Sequence, residues 1–400
     1  MDKKTRRRSC VYFIACLLFF LLPCSAFSDS EVLQLYKQNF TRSDLSVKAR
    51  ILENASFESA SDEFICELYD FALQFAEKNL ELLKNDPDMI KIISTAIYGL
   101  IDKGDCRNPD ILWNLFIEYQ NTPLGAEILI AMGKLAKGNR SIIEKINNFL
   151  IEQNNLFTAG SHVNYAVISA CIAAVLDLGD SSSYSPLFAV ACAGFPEVIT
   201  FEALGAFDLI PGNIKQFLSN IIQRNPPDEK LIAFKTGINN PRLSLYDRGQ
   251  LAEIALEQSL TGGGDDDDVN LLEMRYASVK ALIPLKWTRA NTLAIRNYYR
   301  VQTDYQHGSA SKENLLEAIA LLGTAGNNDA AFTLALQLGL INIRMEKTGN
   351  FDADIILAIV ESLGLIGDKD VFDHLLQVSN LSYTEDILAA AKEAIDRLKW

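Results

Sequence analysis

The sequence predicts an all-α chain of stacked helical pairs. Three observations carry that expectation. Apolar residues recur at helical spacing, as in Ile356, Leu357, Ile359, Val360 and Leu363. Glycine followed by Asp or Asn punctuates such runs repeatedly along the chain. No run of alternating β-branched residues is bounded by hairpin turns, so strand signals are few.

The punctuation is regular. Gly104-Asp105 closes YGLIDKGDC, Gly138-Asn139 closes MGKLAKGNR and Gly179-Asp180 closes AVLDLGDSS. Gly212-Asn213, Gly326-Asn327 and Gly367-Asp368 follow, at intervals of 34, 41, 33, 114 and 41 residues. The long interval has room for two or three units whose turns lack the glycine. Glycine closes a helix by taking the left-handed conformation. Asp or Asn beside it caps the next helix by accepting its free backbone N–H groups. One helical pair cannot bury its apolar face alone, whereas stacked pairs can. The GLIGD segment is therefore read as a turn. It lacks the Lys-Ser/Thr of a phosphate loop and the alternating oxygen ligands of a calcium loop.

LLEAIALLGTAGNNDAAFTLALQL is followed 41 residues on by DIILAIVESLGLIGDKDVFDHLLQV. Both resemble the A-x-x-x-L-G-x-x-G-D/N turn of the HEAT repeat family, to which the armadillo type is related. The resemblance is best over 310–400, fair over 90–222, and weak over 30–90 and 223–309. It implies a right-handed α-solenoid, HEAT-like or armadillo-like, with a general role in binding other proteins, and it implies no reaction. EDILAAAKEAIDRLKW resembles a final helix, with Lys392, Glu393, Asp396, Arg397 and Lys399 as a polar cap.

The first 28 residues read as a secretory signal peptide. Lys3, Lys4, Arg6, Arg7 and Arg8 precede an apolar run from Val11 to Leu22 and the small-residue stretch CSAFS. Cleavage after Ala26 or Ser28 fits this pattern. Lipidation would need Cys24 as the first mature residue, and Pro23 before it makes a poor lipobox. The expected location is outside the cytoplasm, periplasmic or extracellular. Without the leader's five bases and its one acid, Asp2, 32 basic residues face 50 acidic ones, a net of −18. That balance excludes nucleic acid as a primary partner, because phosphate binding needs concentrated positive charge. No second apolar run is long enough to span a membrane. Four cysteines remain, Cys66, Cys106, Cys171 and Cys192, and their spacing leaves pairing open. Cys171 and Cys192 lie in apolar runs and read as buried small hydrophobes.

Two segments stand out chemically. TGGGDDDDV, 261–269, gathers Asp265, Asp266, Asp267 and Asp268, but consecutive side chains point apart. It reads as a solvated loop with an acidic start to the next helix. KALIPLKWTRANTLAIRNYYRVQTDYQHG, 280–308, is locally basic in an acidic chain. If 288–301 is helical, Arg289, Arg296 and Arg300 share a face, with Trp287 and Tyr299 nearby. Arg, Trp and Tyr are enriched at interface hot spots, so these five residues are the candidate partner-binding set. The competing expectation is that the stripe neutralises the aspartate loop while the aromatics pack in the core.

No motif demands a cofactor or metal. His162, His307 and His374 have no companion at metal-ligand spacing. There is no GxSxG elbow, and Glu361-Ser362 sits inside an apolar helix. The expected function is non-enzymatic: an exported scaffold or assembly factor of the cell envelope that binds a protein or peptide. The alternatives are an all-α envelope enzyme acting on a glycan and a purely structural envelope protein.

Overall fold

The computed structural model describes residues 29–55, 61–261 and 268–399. The leader, 1–28, and the aspartates Asp265, Asp266 and Asp267 lie outside the described residues. The described residues form 21 α-helices and three 3-10 turns, with no strand among them. The chain divides into two compact units, residues 1–186 and 187–400.

The first unit holds α1 (Asp29–Arg42), α2 (Leu45–Ala55), α3 (Asp62–Lys78), α4 (Leu80–Leu83), α5 (Pro87–Lys103), α6 (Pro109–Tyr119), α7 (Pro123–Leu135), α8 (Arg140–Thr158) and α9 (Tyr165–Leu178). The next helix, α10 (Tyr184–Cys192), runs across the division. The second unit continues with α11 (Glu197–Leu209), α12 (Ile214–Arg224), α13 (Pro227–Asn239), α14 (Leu245–Thr261), α15 (Val269–Leu285) and α16 (Asn291–Gln306). It ends with α17 (Lys312–Ala325), α18 (Asn328–Thr348), α19 (Ala353–Ile366), α20 (Phe372–Ser379) and α21 (Glu385–Asp396).

Alternate helices pack on one another. In the first unit α3, α5, α7 and α9 form one row, and α6 packs on α8. In the second, α13, α15, α17, α19 and α21 form one row, and α12, α14, α16, α18 and α20 a second. The cause is the apolar stripe of each helix. On α19, Ile356, Ile359, Val360 and Leu363 are fully buried, as helical spacing requires.

Small residues set the spacing in the first-named rows. A Cβ on Gly133 of α7 would lie 2.6 Å from the Cα of Ala174 on α9. A Cβ on Gly323 of α17 would lie 2.7 Å from Ser362 Oγ on α19, and one on Gly364 would lie 2.9 Å from the Cα of Ala394 on α21. The leucine-glycine step of the repeated motif therefore marks close helix approach.

Side-chain bonds tie successive helices at a steady sequence interval. In the second unit Lys215 of α12 bonds Gln250 of α14, Trp287 bonds Glu253 of α14, Gln302 of α16 bonds Gln337 of α18, and Asn342 of α18 bonds Gln377 of α20. Each pair is 34 or 35 residues apart. In the first unit Lys84–Glu118, Asp110–Lys145 and Asn147–Ser182 keep the same interval.

The turns follow the expected chemistry unevenly. Gly104, Gly179 and Gly367 close their helices in the left-handed region, at φ of 68°, 65° and 72°. Gly138 and Gly212 also have positive φ, but they lie beyond helices that end at Leu135 and Leu209. Gly326 differs: it is extended, at φ −72° and ψ 157°. Only Gly326 and Asn327 connect α17 to α18, and a Cβ on Gly326 would lie 2.1 Å from the Leu322 carbonyl oxygen. Its glycine serves the close approach, not a left-handed closure. Asn139, Asn213 and Asn327 cap the following helices, accepting from the N–H of Ile142, Gln216 and Ala330. Asp180 and Asp368 cap 3-10 turns instead, at 2.8 and 3.0 Å. Asp105 caps nothing: the loop runs on to Asn108, which holds the position before α6, and Asp105 pairs with Arg107.

Lys286 ends α15 in the left-handed region at φ 47°, the only non-glycine residue with positive φ among the described residues. A side chain there clashes with the following carbonyl. Lys286→Gly is expected to raise stability by about 1 kcal/mol, read as a higher urea midpoint. An unchanged or lower midpoint would remove strain from this turn.

Candidate functional site

The segment 280–308 enters the second unit in two ways. Its first part is structural. Trp287 is only 9% exposed, and its Nε1 donates to Glu253 at 2.7 Å. Arg289 lies over the Trp287 ring, pairs with the same Glu253 at 3.4 Å and donates to the Tyr246 hydroxyl. Trp287 thus sits in the core, and Arg289 ties the 3-10 turn before α16 to α14. Residues 288–290 form a 3-10 turn, so Arg289 does not share the α-helical face of Arg296 and Arg300. Arg300 pairs with Asp304, which also holds the buried Arg275 at 2.9 Å. Arg296 and Tyr299 are exposed. Among the aspartates of the acidic stretch, Asp268 accepts from the N–H of Asn270 and Leu271 and so starts α15.

The second part lines a cleft of about 600 Å³ between α16, α18 and the start of α19. Tyr298, Gln302, Tyr305 and Gln306 come from α16; Gln337, Ile341 and Arg344 come from α18; Asn350, Phe351 and Asp352 come from the loop before α19. Tyr299, Gln302 and Gln306 are at i, i+3 and i+7, so exposed Tyr299 borders the cleft side of α16.

The polar groups of the cleft divide into committed and available ones. Asp352 is committed, since it caps α19 and pairs with Lys312 at 2.9 Å. It is the one carboxylate in the lining. Tyr298 is almost fully buried, and desolvation raises its phenol above the ordinary range. Phe351 is braced edge-on against Tyr383 at 5.1 Å. The Gln302 amide donates to the Gln337 carbonyl at 2.7 Å. That bond leaves the Gln302 carbonyl and the Gln337 N–H₂ without a side-chain partner among the described residues. Arg344 is exposed and has no ion-pair partner among the described residues. The cleft thus offers the Gln302 acceptor, the Gln337 donor, the further polar groups of Tyr305, Gln306 and Asn350, aromatic walls and one cation.

Behind it, a buried network holds α18 in place. Asn342, fully buried, donates to Gln377 and accepts from the Tyr383 hydroxyl at 2.9 Å. On its outer side α18 carries Phe332, Leu336, Leu340 and Ile343 exposed, at 62, 46, 63 and 46%.

The other singled-out residues take structural places. His374 is half-buried beside Gly339, while His162 and His307 are exposed. Glu361 is exposed, and Ser362 is buried and donates to the Ile319 carbonyl. Lys392, Glu393, Asp396, Arg397 and Lys399 are all exposed at the C-terminal end. Lys399 N–H donates to the Gly367 carbonyl at 3.0 Å, which pins the chain end onto the GLIGD turn. The four described cysteines are free thiols. Cys171 is buried, but Cys192 is only half-buried, because it lies at the last position of α10. Burial pushes the Cys106 thiol up to about 11 and the Cys192 thiol up to about 12. Among the described residues no three His, Cys, Asp or Glu side chains gather as for a metal ion, and no helix is long and apolar enough to cross a membrane.

No family model matches the chain. Among curated proteins it is similar to exocyst complex component 6 of Dictyostelium discoideum, 25% identical over 134 residues. That alignment covers 32% of this chain and 13% of the relative, so the match spans only a small part of the relative's length.

Proposed function

We propose that this protein is an exported, HEAT-like α-solenoid that binds a segment of another protein, acting as a scaffold or assembly factor. The cleft between α16 and α18 carries this reading. The carbonyl of Gln302 and the amide of Gln337 match the N–H and C=O of a peptide unit. Arg344 suits an acidic side chain on the bound segment, and Tyr305 and Phe351 suit an apolar one. Two further observations support it. The paired rows of helices and the interval of 34 or 35 residues between tied positions are consistent with a stacked array. The one relative named above is, by its name, a component of a complex. Export rests on the leader pattern in residues 1–28.

The test is a selection of displayed peptides on the immobilised full chain. Enriched peptides are expected to carry an acidic residue beside an apolar one. The double variant Gln302→Leu, Gln337→Leu is expected to weaken the best of them by about tenfold or more, because a peptide unit is then left unpaired. Arg344→Glu is expected to abolish the acidic preference. Peptides that bind both variants as well as the parent would move the site elsewhere.

A further inference from the structure

The exposed row on α18 is built to meet itself. Phe332, Leu336, Leu340 and Ile343 recur at intervals of four, four and three residues, which is one face of a helix. Asp329 lies three residues before the row and Lys347 four residues after it, and both are exposed. Neither has an ion-pair partner among the described residues. Asp329 and Lys347 are 18 residues apart, which is about five full turns, so both lie on the face of the apolar row.

Two pairs in this pattern are symmetric about residue 338, Leu336 with Leu340 and Asp329 with Lys347. When two copies of α18 lie antiparallel about a two-fold axis there, Leu336 of one meets Leu340 of the other. In the same register Asp329 of each copy meets Lys347 of the other. A two-fold contact must be self-complementary, and these two pairs, one apolar and one of opposite charge, meet that condition. We infer that α18 is an interface between two copies of this chain, joined through Leu336 and Leu340 and flanked by two Asp329–Lys347 pairs.

The size of the contact sets its strength. Helix α18, with 21 residues, is about 31 Å long. One helix face lies at the lower end of specific interfaces, so dissociation in the micromolar range is expected. Cleft residues Gln337 and Ile341 sit roughly a third of a turn round the helix from the row, whereas Arg344, one turn after Leu340, lies at the edge of the contact, opposite Phe332 of the other copy. Self-association is therefore measured without peptide and through residues outside the cleft lining.

Sedimentation velocity of the full chain between about 1 and 200 μM tests the proposal, with circular dichroism confirming that each variant is folded. A concentration-dependent dimer is expected. Leu336→Glu is expected to weaken it by about tenfold or more, since each copy then buries a carboxylate against Leu340 of the other. Asp329→Lys is expected to weaken it by setting Lys against Lys347, and Asp329→Lys with Lys347→Asp is expected to restore it. A monomer at every concentration overturns the proposal and leaves the row to a different protein. A dimer indifferent to Leu336→Glu overturns it as well, and failure of the double swap to restore association overturns the antiparallel register.

Discussion

Asp304→Ala is expected to lower the stability of the second unit by about 3 kcal/mol. Arg275 is 6% exposed, and its guanidinium rests on the Asp304 carboxylate at 2.9 Å and over the Tyr276 ring. Removing the carboxylate leaves a cation buried without its counter-ion, which costs far more than an exposed pair of the same length. The pair joins α15 to α16, and α16 forms one wall of the cleft. Adding Arg275→Met to Asp304→Ala is expected to recover much of the loss, because no charge then stays buried. Urea unfolding followed by circular dichroism reads both variants. A neutral Asp304→Ala would mean that Arg275 reaches solvent.

Gly133→Val is expected to destabilise the first unit by about 3 kcal/mol, at the upper end of overpacking costs. The neighbour is backbone: the Cα of Ala174 lies 2.6 Å from where a Cβ would stand. No side-chain rotation relieves that contact, so α7 and α9 must part. Gly205→Val is the matched control. Gly205 lies within α11, and an added Cβ there meets nothing within 4 Å. Equal losses at the two positions would show that the approach of α7 to α9 does not set the cost.

How far the sequence foretells this structure depends on whether a feature is local. The all-α class is legible, because apolar periodicity belongs to each helix alone. Ile356, Ile359, Val360 and Leu363 are buried as their spacing requires. The caps at Asn139, Asn213 and Asn327 are legible for the same reason. The weak match over 223–309 has a local cause too. There α13 ends on an extended Asn240 and α15 on left-handed Lys286, so glycine punctuation is absent while the helices continue. The interval of 34 or 35 residues runs through this stretch, but in Lys215–Gln250 and Glu253–Trp287, pairs that no glycine marks.

The site was less legible. Trp287 and Arg289 look like docking residues in a basic, aromatic stretch. Their partner, Glu253, lies 34 residues earlier, and only the packing of α14 brings it to them. Cleft residues Gln302 and Gln337 carry no motif, and an amide becomes informative only when another stands 2.7 Å away. Of the candidate set, Tyr299 comes nearest to the cleft, as the exposed residue beside Gln302 and Gln306 on α16. The row on α18 was hidden by the length of that helix: among so many apolar residues, exposure separates Leu336 from Leu338, which is fully buried.

Hydrogen–deuterium exchange of the full chain, with and without a peptide selected on it, tests partner binding at the cleft most directly. Slower exchange is expected in the α16 segment 298–306 and in 337–355, on both walls and in the loop that carries Asn350 and Phe351. Protection confined to these segments is the predicted result. Protection only in the first unit, or none in 298–306 and 337–355 at saturating peptide, would contradict it.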